Sequence, residues 1–243
     1  MLQKIRSKLG LSSAALRYLA IALMLLDHIW LGLRPPHAFW MTCLGRLAFP
    51  LFAFLIAEGF YHTSDRKRYA LRLFLCGLIT EIPYDVFVSS ALFSMRSQNV
   101  LFTLLFGLLA LWMFQWAREQ GSVKHHILAC MGFAALFVLA TRSSTSYGGL
   151  GMTMVVMFGL LRGVKGALLW ELLCLALLNY LIPGRQIRLG SVMFSIQNLG
   201  TLAIVPIALY NGQRGAKNRF LQLGYYLFYP VHMGLLAVLR YLL

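Results

Sequence analysis

The sequence predicts an all-α fold, a polytopic membrane bundle of about nine transmembrane helices. Three observations predict it. Of 243 residues, 60% are hydrophobic and only 12% are charged, against about 25% charged in a soluble domain. The mean hydropathy is +0.73. The apolar residues gather in runs close to the ~20 residues that cross a bilayer as helix. Residues 1–243 therefore read as a single integral-membrane domain, with no room for a separate soluble one.

The runs fall near 14–33, 40–61, 69–88, 99–117, 125–141, 148–163, 165–182, 192–210 and 219–241. The first follows a basic segment, as in a signal peptide. It contains Asp27 and His28, however, and no small-residue cleavage pattern follows, so it reads as a retained helix. The sixth and seventh are parted by little more than Arg162-Gly163-Val164-Lys165, the weakest boundary. Cys43, Cys76, Cys130 and Cys174 each lie in an apolar stretch without zinc or redox spacing, and read as small buried hydrophobes. No metal site is expected.

The net charge of +15 would suit nucleic acid if it formed a patch. Instead the basic residues lie between apolar runs, where lipid headgroups and the positive-inside rule explain them. One set of run ends carries Lys4, Arg6, Lys8, Arg17, Arg66, Lys67, Arg68, Arg72, Arg118, Lys124, Arg162, Lys165, Arg214, Lys217 and Arg219. The other carries Arg34, Arg96, Arg142, Arg185, Arg188 and Arg240. The richer side is cytoplasmic by that rule, which puts the N-terminus inside and, after nine spans, the C-terminus outside.

Charge within hydrocarbon is costly, so ionisable groups there face a cavity or a partner. Counting at about 1.5 Å per residue, His28, Arg46, Glu81, Asp85, Asn99, Gln197, Asn198 and His232 enter one slab in the outer half of the membrane, contributed by different helices. A shared polar cavity near the outer face is one reading; unrelated ion pairs, such as Arg46 with Glu81, are the other. Glu58 and Glu171 lie nearer the cytoplasm, and Glu58 has His62, Arg66 and Arg72 at hand for a structural pair. Pro50, Pro83 and Pro230 accompany these groups and bend the helices beside them.

Arg17 and His28 are separated along the first helix by about 16 Å and lie on nearly one face. That spacing suits a long ligand with an anionic end at the cytoplasm and a reactive end near the membrane middle, the shape of a coenzyme A thioester. Arginine suits phosphate, and histidine suits removal of a proton from an amine or hydroxyl. Read structurally, Arg17 is a snorkelling anchor and His28 a helix–helix hydrogen bond. Asp27 adjoins His28 but points about 100° away around the helix. Glu81 and Asp85, four residues apart on one face, are the carboxylates expected to pair with His28.

The runs Met24-Leu25-Leu26-Asp27-His28, Gly45-Arg46-Leu47-Ala48-Phe49-Pro50 onward to Ala57-Glu58-Gly59-Phe60, and Glu81-Ile82-Pro83-Tyr84-Asp85 resemble the TraX family. So do Gln98-Asn99-Val100-Leu101-Phe102-Thr103-Leu104, Tyr210-Asn211-Gly212 and Phe228-Tyr229-Pro230-Val231-His232, in family order along most of the chain. The resemblance implies N-terminal acetylation of conjugative pilin in the bacterial inner membrane. It also implies distant likeness to membrane acyltransferases with an Arg-x10-His element, matched here by Arg17 and His28. On that reading His28, Glu81, Asp85 and Asp27 are the catalytic candidates and Arg17 holds acetyl-CoA. Arg46, Glu58, Asn99 and His232 bind substrate, with pilin as acceptor and membrane lipids as surroundings. A proton-coupled transporter and a non-catalytic pilin chaperone are the alternatives.

Overall fold

The computed structural model describes residues 10–215 and 219–243. Lys4, Arg6, Lys8 and Lys217, used above to orient the chain, lie outside the described residues. The chain is a helical membrane bundle, and four of its helical stretches, Ser13–Leu33, Trp40–His62, Val100–Gln120 and Val123–Arg142, are long and apolar enough to cross a bilayer.

Helix α1 (Ser13–Leu33) starts at Ser12, whose hydroxyl accepts from the Ala15 amide at 3.2 Å. It stops ahead of Pro35, with Arg34 in the left-handed region at φ 49°. The run expected as one helix over 40–61 spans Trp40–His62, with a step at Arg46-Leu47 that divides it into α2 (Trp40–Gly45) and α3 (Ala48–His62). Pro50 supplies the reason: it lacks an amide, and its ring crowds the carbonyl four residues back, at Arg46. Arg46 and Leu47 keep right-handed helical dihedrals across the step.

Helix α4 (Arg66–Ser89) is capped by Asp65, which accepts from the Arg68 amide at 2.9 Å. Helix α5 (Val100–Gln120) is capped by Asn99 and ends at Gly121, at φ 65°. Then come α6 (Val123–Arg142), α7 (Gly148–Leu161) and α8 (Ala167–Leu181). The last two have 14 and 15 residues, about 21–23 Å at 1.5 Å per residue. Each falls short of the ~30 Å hydrocarbon core.

The run expected as a helix over 192–210 is largely something else. Strands β1 (Gln186–Leu189) and β2 (Val192–Ser195) form an antiparallel hairpin in which Leu189 pairs with Val192. Gly190, at φ 63°, supplies the positive dihedral that so tight a turn requires. A 3-10 helix (Ile196–Ala203) and the short α9 (Ile204–Ala208) follow, and α10 (Arg219–Leu242) completes the chain. The β-branched and aromatic residues Val192 and Phe194 fit a strand, and the Pro-Gly pair at 183–184 isolates the segment from α8. Gln197, buried, donates to Asn179 of α8 at 2.8 Å and holds the 3-10 helix against it.

Helix α3 is the most enclosed, and contacts α1, α5, α7 and the 3-10 helix. Neighbour contacts run α1–α3, α3–α5, α5–α4, α4–α10 and α10–α1, closing a five-helix ring. One end of the ring carries Arg66, Lys67, Arg118, Arg162 and Arg214, and is called the basic end below. Gly45 sets the approach of α2 to α1: a methyl there would fall 2.4 Å from Asp27 Cβ. Gly45→Ala is therefore expected to destabilise the bundle by about 1–3 kcal/mol through overpacking. Unfolding of the purified protein in detergent measures this, and an unchanged midpoint would show that the helices yield freely.

Candidate active site

Polar side chains project from all five helices of the ring. At the half remote from the basic end, α1 brings His28 against His232 of α10. His28 Nδ1 lies 2.7 Å from His232 Nε2, and His232 Nδ1 lies 2.8 Å from the Phe228 carbonyl. The two rings are nearly coplanar, at 13° with centroids 5.0 Å apart, as an in-plane N–H···N bond requires. The Phe228 carbonyl can only accept, so His232 Nδ1 carries a hydrogen. With both rings neutral, His232 Nε2 is then an acceptor, His28 Nδ1 a donor, and His28 Nε2 holds a free lone pair. Phe87 and Tyr229 pack on the His28 ring at centroid distances of 5.9 and 6.2 Å.

Asp27, on the neighbouring face of α1, forms an ion pair with Arg46 at the break between α2 and α3. Thr42 Oγ1 donates to the other Asp27 oxygen at 2.6 Å, and Arg46 Nε reaches the Thr42 carbonyl at 3.3 Å. Arg46 in turn interacts electrostatically with both His28 and Tyr147. The Arg46–Glu81 pair considered from the sequence does not form; the partner of Arg46 is Asp27.

Nor does a carboxylate pair with His28. Glu81 Oε2 accepts from the Asn99 side chain and, at 3.4 Å, from its backbone amide. The Asn99 side-chain amide also donates to the Gly77 carbonyl at 2.9 Å. Asp85 Oδ2 accepts from the Ser94 amide at 2.6 Å. Both carboxylates look from α4 toward α5 and the loop before it. The α4 residue that reaches His28 is Phe87. Glu81 Oε1 and Asp85 Oδ1 are buried with no hydrogen-bond partner among the described residues.

Three tyrosines tie these groups together. Tyr229 is buried and packs on both imidazoles, at centroid distances of 6.2 Å from His28 and 5.5 Å from His232. Tyr84 shares a hydrogen bond with Ser97 at 2.7 Å. Tyr147 stacks on Phe49 at 3.7 Å. Sequence reasoning missed all three as site residues, although Tyr84 and Tyr229 stand inside two of the motifs quoted above. His28 with His232, Asp27 with Arg46, Glu81 with Asn99, and Asp85 thus lie in the half of the ring remote from the basic end.

Arg17 and Glu58 lie apart from it. The Arg17 guanidinium rests over the Tyr225 ring at 4.7 Å, between α1 and α10. Glu58 sits at the basic end, where Arg162 Nε donates at 2.8 Å, the Tyr210 hydroxyl donates at 3.2 Å and His62 approaches to 3.3 Å. These contacts bind the end of α3 to the loops after α7 and α9. Among the described residues no three His, Cys, Asp or Glu side chains converge as a metal-binding group.

The family model described as TraX protein matches residues 12–240. The chain is 31% identical over 242 residues to the probable fimbrial assembly protein FimC, serogroup H1, of Dichelobacter nodosus, covering 93% of this chain and 94% of that protein. No solved structure matches.

Proposed function

This chain belongs to the TraX family, and on that premise we propose that it is an integral membrane acetyltransferase of the bacterial inner membrane. It moves acetyl from cytosolic acetyl-CoA to the N-terminal amine of pilin subunits at the outer side. The basic end faces the cytoplasm by the positive-inside rule. Local bilayer thinning accommodates the short α7 and α8. The observation that carries the reading is the hydrogen-bond chain from His28 Nδ1 through His232 to the Phe228 carbonyl, which leaves the Nε2 lone pair of His28 uncommitted. A fimbrial role for the FimC relative supports pilin as the acceptor class.

His28 Nε2 takes a proton from the acceptor amine as its nitrogen attacks the acetyl carbonyl carbon. The carbon–sulfur bond breaks, and the proton passes from His28 to the departing thiolate. His28 ends neutral and no acyl-enzyme bond forms. His232 engages His28 Nδ1–H throughout, so the lone pair stays on Nε2 and the passing positive charge is shared. Glu81 and Asp85, each with one unpartnered oxygen, give the acceptor side a lining suited to an ammonium group. Asn99 orients Glu81, Asp27 positions Arg46, and Arg46 lines the same space. Arg17 meets the donor's phosphates on the cytoplasmic side. Glu58 acts at a distance, by holding the basic end closed. Bringing two substrates together in one enclosure supplies much of the rate.

The test is reconstitution in lipid with isotopically labelled acetyl-CoA and purified pilin, read by mass spectrometry. One acetyl mass on the pilin N-terminus is expected. Unmodified pilin, together with a pH-dependent solute gradient across the vesicle, would turn the assignment toward a transporter.

A further inference from the structure

At the basic end, between the α3–α4 loop and α5, Thr63, Ser64, Asp65, Arg66, Lys67 and Trp112 line a cleft of about 350 Å³. It lies well away from the His28 neighbourhood, and none of the roles above uses it. The charges around it are unbalanced. Asp65 is already engaged, capping α4 and pairing with Arg68 at 3.0 Å. Glu119 is held by Arg66 at 3.5 Å, and Glu58 by Arg162 at 2.8 Å. Lys67 and Arg118 form no ion pair among the described residues. Tyr61, just behind the cleft, experiences Arg118, Arg162 and Arg66 together. Arg66 and Lys67 thus stand on the cleft wall, Lys67 without an ion pair among the described residues, while the Asp65 carboxylate beside them is taken by Arg68.

The remaining wall is chemically different. Trp112 offers a flat indole face beside these cations, and Thr63 and Ser64 offer hydroxyls. Cations alone would serve any phosphate, including a lipid headgroup. Trp112 is half-buried against the core, and cations beside the open part of an aromatic ring recognise a phosphate joined to a planar base, because the base stacks while the phosphate is charge-paired. The position agrees. The cleft is built from α3, α4 and α5, three members of the five-helix ring. Along α3, His62 at the cleft and Arg46 at the His28 neighbourhood are about 24 Å apart at 1.5 Å per residue. That is of the order of an extended coenzyme A molecule. Arg17 lies between the two levels, one turn into α1.

We propose that this cleft is the docking site for the nucleotide end of an acyl-CoA. Arg66 and Lys67 take its phosphates and Trp112 stacks on its base. The identity of the donor rests on the acyltransferase reading; recognition of a phosphorylated base does not.

Adenosine 3′,5′-bisphosphate, titrated into the full chain in phosphatidylcholine nanodiscs, is the probe. Saturable binding is expected, weakened about ten-fold or more in Arg66→Gln/Lys67→Gln and also in Trp112→Leu. His28→Gln is expected to bind it like the wild type. The thermal midpoint of each variant shows that any loss is local. Undiminished binding in the Arg66→Gln/Lys67→Gln variant overturns the proposal. So does wild-type protein that ignores the bisphosphate but retains phosphatidylglycerol, in native mass spectrometry from mixed nanodiscs, only while Arg66 and Lys67 are intact. Cleft-dependent binding without any acetyl transfer would instead unseat the enzyme and keep the site. Transfer that persists while the cleft variants bind normally would keep the enzyme and discard the site.

Discussion

His28→Gln is expected to lower acetyl transfer by about 10²–10⁴-fold, the usual contribution of a positioned general base. Glutamine preserves size and hydrogen bonding but has no lone pair able to take a proton near neutrality. The loss should therefore appear in kcat, with adenosine bisphosphate binding unchanged. His232 gives the sharper comparison. Its Nε2 lies 2.7 Å from His28 Nδ1, and its own Nδ1 is committed to the Phe228 carbonyl. His232→Gln can still present an acceptor to His28 Nδ1–H, whereas His232→Leu cannot. The leucine variant frees the imidazole to take either tautomer, so its kcat should fall further than that of the glutamine variant. Steady-state kinetics on reconstituted protein measures both. Full activity in His28→Gln would remove the base, and equal activity in the two His232 variants would remove the relay.

Asp27→Ala is expected to cost about 3–5 kcal/mol of stability, because it strands the Arg46 guanidinium in a buried position. The side chains of the pair are only 15% and 20% exposed, and Thr42 completes the shell around the carboxylate. Replacing both partners with apolar residues, as in Asp27→Leu/Arg46→Met, should restore most of the loss, since no buried charge is left unpaired. Unfolding in mixed detergent micelles reads the three proteins side by side. An Asp27→Ala variant as stable as the wild type would show that water reaches Arg46. The double variant also separates stability from chemistry: the proposed function predicts that it folds yet transfers acetyl poorly, having lost a charge beside His28.

The helix limits were largely legible in the chain because their causes are local. Ser12, Asp65 and Asn99 cap helices through side-chain oxygens a few residues from the amides they accept from, and Gly121 ends one with a positive φ. The step at Arg46 follows from Pro50, four residues on. Where local signals competed, apolar composition misled: residues 192–210 carry enough hydrophobicity for a span, but the first four belong to a hairpin.

Depth along each helix was readable too, since it depends only on the rise per residue. It grouped His28, Arg46, Glu81, Asp85, Asn99 and His232, together with Asn198 and with Gln197, which bonds to Asn179 instead, and the family likeness came largely from the same stretches. What a depth cannot supply is azimuth. Whether His28 meets a carboxylate of α4 or an imidazole of α10, 204 residues away, depends on how five helices close into a ring. Only the tertiary structure decided that Asp27 takes Arg46, that Glu81 takes Asn99, and that Lys67 stands beside Trp112 without an ion pair. The rise of a helix is a property of its own backbone, whereas the direction its side chains face is settled by the packing of every helix around it.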